Sequence, residues 1–295
     1  MALRVRVPAT TANLGSGFDC VGMAFDWYDE LTLELLDEPG LEVVVHGEGA
    51  GSVPLDERHL VVSSLKDGLA AFGVALPAGM RLICRNTIPQ SRGLGSSAAA
   101  IVAGLTLAWG IAHPGRDVDP AVITRLAHEA EGHPDNAGAA VWGGAILAWA
   151  RDDKVSLVQL PLPDGFGAVV FVPDVESKTS DARSVLPDVV ARTDAVAQAI
   201  AAAALPLALT VRPDLLFDAT FDRLHQPFRA PLMPASYDLM LRLREAGVPA
   251  AISGAGPTVI AVGLPEQLAP VDSVACEGFA VRRLSPAGGV RLDHV

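Results

Sequence analysis

The chain is poor in cysteine and in positive charge. Its 295 residues contain three cysteines, Cys20, Cys84 and Cys276, odd in number, widely spaced and without a C-x-x-C pair. That pattern speaks against a disulfide framework, and reduced thiols in a cytoplasmic enzyme are its simplest reading. Lysine and arginine total 22 against 34 aspartates and glutamates, a net charge of −12. A nucleic-acid or anionic-membrane surface needs a basic patch, so neither partner is expected. Any polyphosphate bound by so acidic a chain must be met by local donors and a metal. The N-terminal Met-Ala-Leu-Arg-Val-Arg-Val-Pro lacks the apolar core of a signal peptide. The most apolar stretch, Ala195 to Val211, is broken by Gln198 and Pro206 and reads as a buried Ala-rich helix, not a membrane span. Internal repeats and low-complexity linkers are also missing.

Half of the residues are apolar, and the length suits two domains with a large core. Strand-like alternation runs over Leu3 to Val7, Glu30 to Leu36, Leu41 to His46 and Met80 to Ile88. Helical periodicity covers His59 to Phe72, Ser97 to Ala112 and Pro120 to Glu131, the last with Asp119 as N-cap. Strands are expected again at Ala145 to Ala150, Lys154 to Leu160 and Gly167 to Val172. Helices follow near Leu186 to Ala204 and Ser236 to Ala246, then strands at Ala250 to Ser253, Thr258 to Val262 and Gly278 to Leu284. This order predicts an α+β fold rather than a doubly wound sheet. The turn-rich stretch from Leu160 to Gly167 is the candidate boundary, dividing residues 1–160 from 161–295.

The most informative segment is Pro89-Gln90-Ser91-Arg92-Gly93-Leu94-Gly95-Ser96-Ser97-Ala98-Ala99. It lies between an expected strand and an expected helix. Glycines let backbone approach a ligand closely and adopt positive φ. The first-turn amides of a helix have no intrahelical partner, and the helix dipole favours negative charge there. Ser96 and Ser97 can cap the helix and donate to a phosphate oxygen. A side chain at Gly95 is expected to enter the space of the phosphates. The G-x-G alone fits a Ser-capped helix after a tight turn equally well. The segment is not a P-loop, since no Gly-Lys-Ser/Thr follows, and it lacks the G-x-G-x-x-G spacing of a dinucleotide fold.

The full string resembles the P-x-x-x-G-L-G-S-S-A-A motif of the GHMP kinases, in which this loop wraps the phosphates of ATP. Three further segments share the resemblance, in family order. Pro8-Ala9-Thr10-Thr11-Ala12-Asn13-Leu14-Gly15-Ser16-Gly17-Phe18-Asp19 and Glu131-Gly132-His133-Pro134-Asp135-Asn136 resemble the substrate-side signatures of its homoserine kinase branch. Ser253-Gly254-Ala255-Gly256-Pro257-Thr258 is similar to the third glycine-rich motif. The resemblance implies a two-domain GHMP kinase fold, its N-terminal domain like ribosomal protein S5 domain 2 and its C-terminal domain ferredoxin-like. It implies an active site between the domains, transfer of phosphate from ATP to L-homoserine, a cytoplasmic enzyme and a homodimer. The rival readings are another GHMP kinase acting on a small alcohol such as mevalonate, and a non-catalytic nucleotide-binding relative.

Phosphoryl transfer asks for charge neutralisation and alignment. Magnesium suits oxygen ligands, and Ser97 is one candidate. Glu129 and Glu131 are the candidate carboxylates. They are two apart, so on a helix they point in different directions, and the resemblance favours Glu129. It further implies that Asn13, Asp19, His133, Asp135, Thr179 and Gly254 hold the substrate, with Arg183 and Arg229 on its carboxylate. Arginine's planar fork suits such a group. Asn13 could equally be a turn former, His133 a structural histidine, and either arginine a surface residue. Asn136 occupies the place where relatives carry a base aspartate. It cannot accept the proton as a base, but it can orient the hydroxyl; Asp19 or Asp135 as base is left open. Ala137-Gly138-Ala139 departs from the V-A-P common in the family.

Overall fold

The first two strands, β1 (Ala2–Asn13) and β2 (Gly17–Leu36), make an antiparallel hairpin in which Leu3, Val5 and Val7 alternate inward with Leu31 and Leu33. The computed structural model describes residues 2–151, 154–176 and 179–295, with residues 179 and 180 described by their backbone alone. Next come β3 (Gly40–Gly47), α1 (Leu60–Ala71), β4 (Gly79–Asn86), α2 (Ser96–Ala112), α3 (Pro120–Glu131) and α4 (Asp135–Trp142). Strands β5 (Ala145–Arg151), β6 (Lys154–Leu160) and β7 (Gly167–Pro173) lead into α5 (Thr179–Ser184) and α6 (Arg192–Thr210). Further helices lie over Gln226–Arg229 and Pro234–Glu245, before β8 (Ala250–Ile252), β9 (Val259–Gly263), β10 (Phe279–Leu284) and β11 (Arg291–His294).

Seven strands form one sheet. Its order is β11-β1-β2-β4-β3, with β5 on the other half of β2 and β6 beyond β5. The length of β2 makes this possible: it pairs with β4 through Glu30–Leu36 and with β5 through Val21–Met23. A second sheet of four strands has the order β10-β7-β9-β8. The last strand, β11, leaves that half of the chain and pairs with β1. The mixed order of strands and helices is the α+β arrangement expected from the sequence. Helix α2 is buried without a break from Ile101 to Gly110, as an all-round apolar helix must be. Gly104 lets α1 approach it, since a Cβ there would lie 2.5 Å from the Val61 carbonyl.

Several expectations need correcting. The helix expected near Leu186 to Ala204 runs over Arg192–Thr210. Leu186 precedes Pro187, which disfavours helical backbone before it. That helix is also far from fully buried. It buries Gln198, Ala201, Leu205, Ala208 and Leu209, while Val196, Ile200, Leu207 and the C-cap residue Val211 face solvent. By length and composition α6 could cross a membrane. Here Gln198 ties it to the fold, donating to the Ser16 carbonyl at 3.0 Å and accepting from the Arg223 amide at 2.9 Å. The segment after Glu131, to which the sequence assigned no helix, opens directly into α4.

Candidate active site

Four chain segments meet in one place: the end of β1, the loop from Thr87 to α2, the turn between α3 and α4, and the turn between β8 and β9. Hydrogen bonds lock them together. The Ser253 hydroxyl donates to the Gly93 carbonyl at 2.6 Å, so its own oxygen, 2.8 Å from the Thr11 hydroxyl, accepts there. The Gly254 amide donates to Ala12 O at 3.0 Å, and Asn13 Nδ2 donates back to Gly254 O at 2.7 Å. Asp29 starts the loop by accepting the Thr87 and Ile88 amides at 2.6 and 2.9 Å. Burial pushes its carboxyl up to about 6, against the lowering effect of those two amides.

The loop then presents the N-terminus of α2. Gly95, at φ +70°, is the N-cap, so neither serine caps the helix through its side chain. The first intrahelical bond is Ala99 N to Gly95 O at 2.8 Å, and the amides of Ser96, Ser97 and Ala98 precede it. Ser91 takes φ +54°, and Asn13 at the end of β1, Leu14 in the turn and Asp19 near the start of β2 are also left-handed. Such backbone is costly and concentrates where geometry is imposed by function. The expectation for Gly95 needs correcting. A Cβ there would lie 1.9 Å from Thr10 Oγ1 and 3.3 Å from Asn136 Oδ1, so it strikes a neighbouring side chain before any phosphate.

A cavity of about 420 Å³ is lined by this loop and by Asn13, Asp19, His133, Asp135, Asn136, Arg183, Arg229 and Gly254. The structure thus brings together most residues singled out on the substrate side. Asn13 is spent within the fold, since its Oδ1 also accepts the Asp19 amide at 3.0 Å. Asp19 and Arg183 form a two-pronged ion pair, at 2.9 and 3.3 Å. Buried Asp135 accepts from the Asn136 amide at 2.7 Å and faces His133 Nδ1 at 3.2 Å. That hydrogen bond, the first cause against the opposing effect of burial, raises the His133 pKa. Arg229, 2% exposed, donates from Nε to Ala182 O at 2.9 Å. Its Nη1 lies 3.3 Å from His225 Nδ1 and 3.4 Å from Gly254 O; among the described residues Nη2 has no such bond and is left for a ligand in the cavity. His225 Nε2 lies 2.9 Å from Gly15 O, which fixes that nitrogen as the protonated one and makes Nδ1 the acceptor for Arg229.

The carboxylates resolve differently from the expectation. Glu129 faces solvent in a 2.6 Å ion pair with Arg125, away from the cavity. Glu131, the last residue of α3, lines the cavity instead. Its Oε2 is buried without a hydrogen-bond partner among the described residues, and burial, chiefly, pushes its carboxyl up to about 7. An ionised carboxylate in such a place needs a cation. The Cys20 thiol nearby is pushed up to about 11 by burial and then by Asp135 and Asp19, so it stays neutral. Thr179 begins α5, but its side chain lies outside the described residues. Within the loop, Pro89 and Leu94 stay out of the cavity, and Leu94 is wholly buried. A second cavity of about 250 Å³ adjoins the first across Ser91, Ser96 and Ser97, with Gln90 and Ala99 in its wall alongside apolar Val53, Pro54, Leu60 and Val61. Thr10, His225 and Asp29 escaped the sequence reading, because each acts through a partner far along the chain.

Residues 59–144 match the N-terminal domain of the GHMP kinases and residues 208–275 match their C-terminal domain. The chain is 50% identical over 292 residues to a homoserine kinase of Cutibacterium acnes, covering 99% of each protein. It is 47% identical to a homoserine kinase of Mycolicibacterium vanbaalenii, covering 96% of this chain and 92% of that one. The crystal structure of homoserine kinase from Cytophaga hutchinsonii superposes with a TM-score of 0.84 at 29% identity, covering 99% of this chain and 97% of that one.

Proposed function

Because the chain belongs to the homoserine kinases of the GHMP kinase family, we propose that its own residues transfer a phosphoryl group from ATP to the hydroxyl of L-homoserine. The products are O-phospho-L-homoserine and ADP, on the route to threonine. One observation carries the reading: the free amides opening α2 share a cavity with Arg229, Asp135 and Asn136. A zwitterionic alcohol placed among the charged groups thereby presents its hydroxyl toward a bound phosphate.

The phosphates lie along Gly93 to Ala98, held by backbone amides and the positive end of α2. The adenosine end takes the neighbouring cavity of about 250 Å³. Glu131, with its unpartnered oxygen, and Ser97 suit a divalent cation of the magnesium type, which takes one or two protein oxygens and keeps several waters. Bound there, the cation neutralises phosphate charge. Asp19 and Asp135 hold the substrate ammonium, Arg229 Nη2 and the outer donors of Arg183 hold its carboxylate, and His133 lines the same wall. The hydroxyl oxygen forms a bond to the γ-phosphorus while the bond from that phosphorus to the β–γ bridging oxygen breaks. ADP leaves with the electron pair, and the hydroxyl proton passes late to a phosphoryl oxygen or to solvent. Asn136 orients the hydroxyl and takes no proton.

The coupled release of ADP, measured with homoserine, mevalonate, galactose or no acceptor, tests the reading. Turnover with homoserine alone is expected; comparable turnover with mevalonate overturns it. We also take residues 1–160 and 161–295 as the two domains, with β11 returned to the first sheet, and place the enzyme in the cytoplasm, where its three free thiols stay reduced. A second copy of the chain is proposed to cover the apolar face of α6. No charged residue lies between Ala195 and Val211, so two copies meet there without burying an unpaired charge. Sedimentation should give a dimer that Ile200→Glu dissociates; a monomeric wild type refutes this.

A further inference from the structure

Thr10 is wholly buried in β1. Its amide donates to Leu94 O at 3.1 Å, which seats it under the phosphate loop. Its Oγ1 lies 2.9 Å from Asn136 Oδ1. A hydroxyl has one proton to give, and among the described residues the acceptor it meets is that amide oxygen. The reverse arrangement, with the Asn136 amide donating to Thr10, would leave the hydroxyl proton buried and unsatisfied. The orientation of the Asn136 amide is therefore set from behind. Its Oδ1 is engaged by Thr10, and Nδ2 is the end left for the cavity that Asn136 lines.

The phosphate loop is shaped around the same contact. Gly95 stands where any Cβ would lie 1.9 Å from Thr10 Oγ1 and 3.3 Å from Asn136 Oδ1. A larger residue at 95 would displace the hydroxyl and free the amide to turn. The conformation of Gly95, the Thr10 hydroxyl and the Asn136 amide thus form one unit joining the loop to α4.

We propose that Thr10 is a positioning residue for phosphoryl transfer, its hydroxyl locking Asn136 so that Nδ2–H donates to the acceptor hydroxyl oxygen of the substrate. This deepens the function proposed above and rests on its assignment of Asn136 beside the reacting oxygen. Donation to one lone pair of that oxygen aims the other at the γ-phosphorus. The hydroxyl proton is then free to face a phosphoryl oxygen, which receives it late. Asn136 Oδ1, already bonded to Thr10, takes no part in removing it.

Steady-state kinetics of Thr10→Val, Thr10→Ser, Asn136→Ala and the Thr10→Val/Asn136→Ala double variant test the proposal. Valine keeps the shape of threonine and removes the hydroxyl; Thr10→Ala does the same without a methyl against Gly95 and replaces it if the valine variant does not fold. Thr10→Val is expected to lower kcat about ten- to hundredfold, the effect of losing one orienting hydrogen bond. The KM values for homoserine and ATP should stay within about twofold. Thr10→Ser should restore most of the rate. The double variant should match Asn136→Ala, because the hydroxyl acts only through the amide. Wild-type kcat in Thr10→Val beside an impaired Asn136→Ala overturns the proposal and leaves the role of Asn136 standing. A further loss in the double variant also overturns it. Wild-type kcat in Asn136→Ala removes the assignment beneath it and the proposal together.

Discussion

Replacing Glu131 with glutamine should stabilise the protein in a pH-dependent way. Burial raises the Glu131 carboxyl from 4.5 to about 7, and its Oε2 has no hydrogen-bond partner among the described residues. Each pKa unit corresponds to about 1.4 kcal/mol, so ionising the folded protein costs roughly 3 kcal/mol more than ionising the unfolded chain. The sign follows from the raised value. The native state holds the proton more tightly, so the contribution to stability is fully present below 4.5 and is lost as pH rises through about 7. Glu131→Gln carries no charge to bury. Urea unfolding of both proteins at about pH 4 and about pH 8.5, with a chelator present, isolates the contribution of Glu131 together with its coupling to His133 and Asp135, because titrating groups distant from residue 131 cancel in the double difference. The advantage of the variant should be roughly 3 kcal/mol larger at the higher pH. Adding magnesium should then narrow the gap by stabilising the wild type alone. A double difference under about 1 kcal/mol, or equal stabilisation of both proteins by magnesium, would refute the reasoning.

Gly95→Ala should cost about 2 kcal/mol or more in stability, since it places a Cβ at φ +70° and 1.9 Å from Thr10 Oγ1. It should lower kcat through Asn136, and wild-type kcat with unchanged unfolding would contradict this. Arg229→Leu should raise the homoserine KM roughly ten- to hundredfold, the loss of a charge-assisted hydrogen bond, with little change in the ATP KM. Homoserinol, which lacks the carboxylate, should scarcely distinguish the variant from wild type, and equal losses with both acceptors would make the arginine structural.

The parts of this fold that depend on near neighbours were legible in the sequence. Asp119 caps α3 as read, accepting the Ala121 and Val122 amides, and β6 runs over the expected Lys154–Leu160. The loop before α2 stood out because two glycines and two serines between a strand and a helix suit close approach of backbone amides to an anion. What escaped was set by distant partners or by direction. The spacing of Glu129 and Glu131 says only that they diverge; the exposed Arg125 on one side and the cavity on the other decide which faces the site. Helix α4 was hidden by Gly138 and by the glycines that follow it, which dilute the local helical signal. Arg183 meets Asp19 across 164 residues and Thr10 meets Asn136 across 126, pairings that no window of sequence contains. The exposed face of α6 reads as core by composition, because apolar residues alone do not say whether a neighbour covers them.

The central mechanistic claim is that no carboxylate takes the hydroxyl proton. It is tested most directly by kcat against pH, at saturating homoserine and magnesium-ATP, for wild type, Asp19→Asn and Asp135→Asn. Asp19 is paired with Arg183, and Asp135 is engaged by His133 and the Asn136 amide, so both are placed to bind and orient. Each variant should act mainly through the homoserine KM and keep the acidic limb of the profile. A general base typically contributes about 10² to 10⁴ in rate. If either variant loses that much kcat at unchanged substrate affinity, together with the acidic limb, that aspartate is the base and the account is wrong.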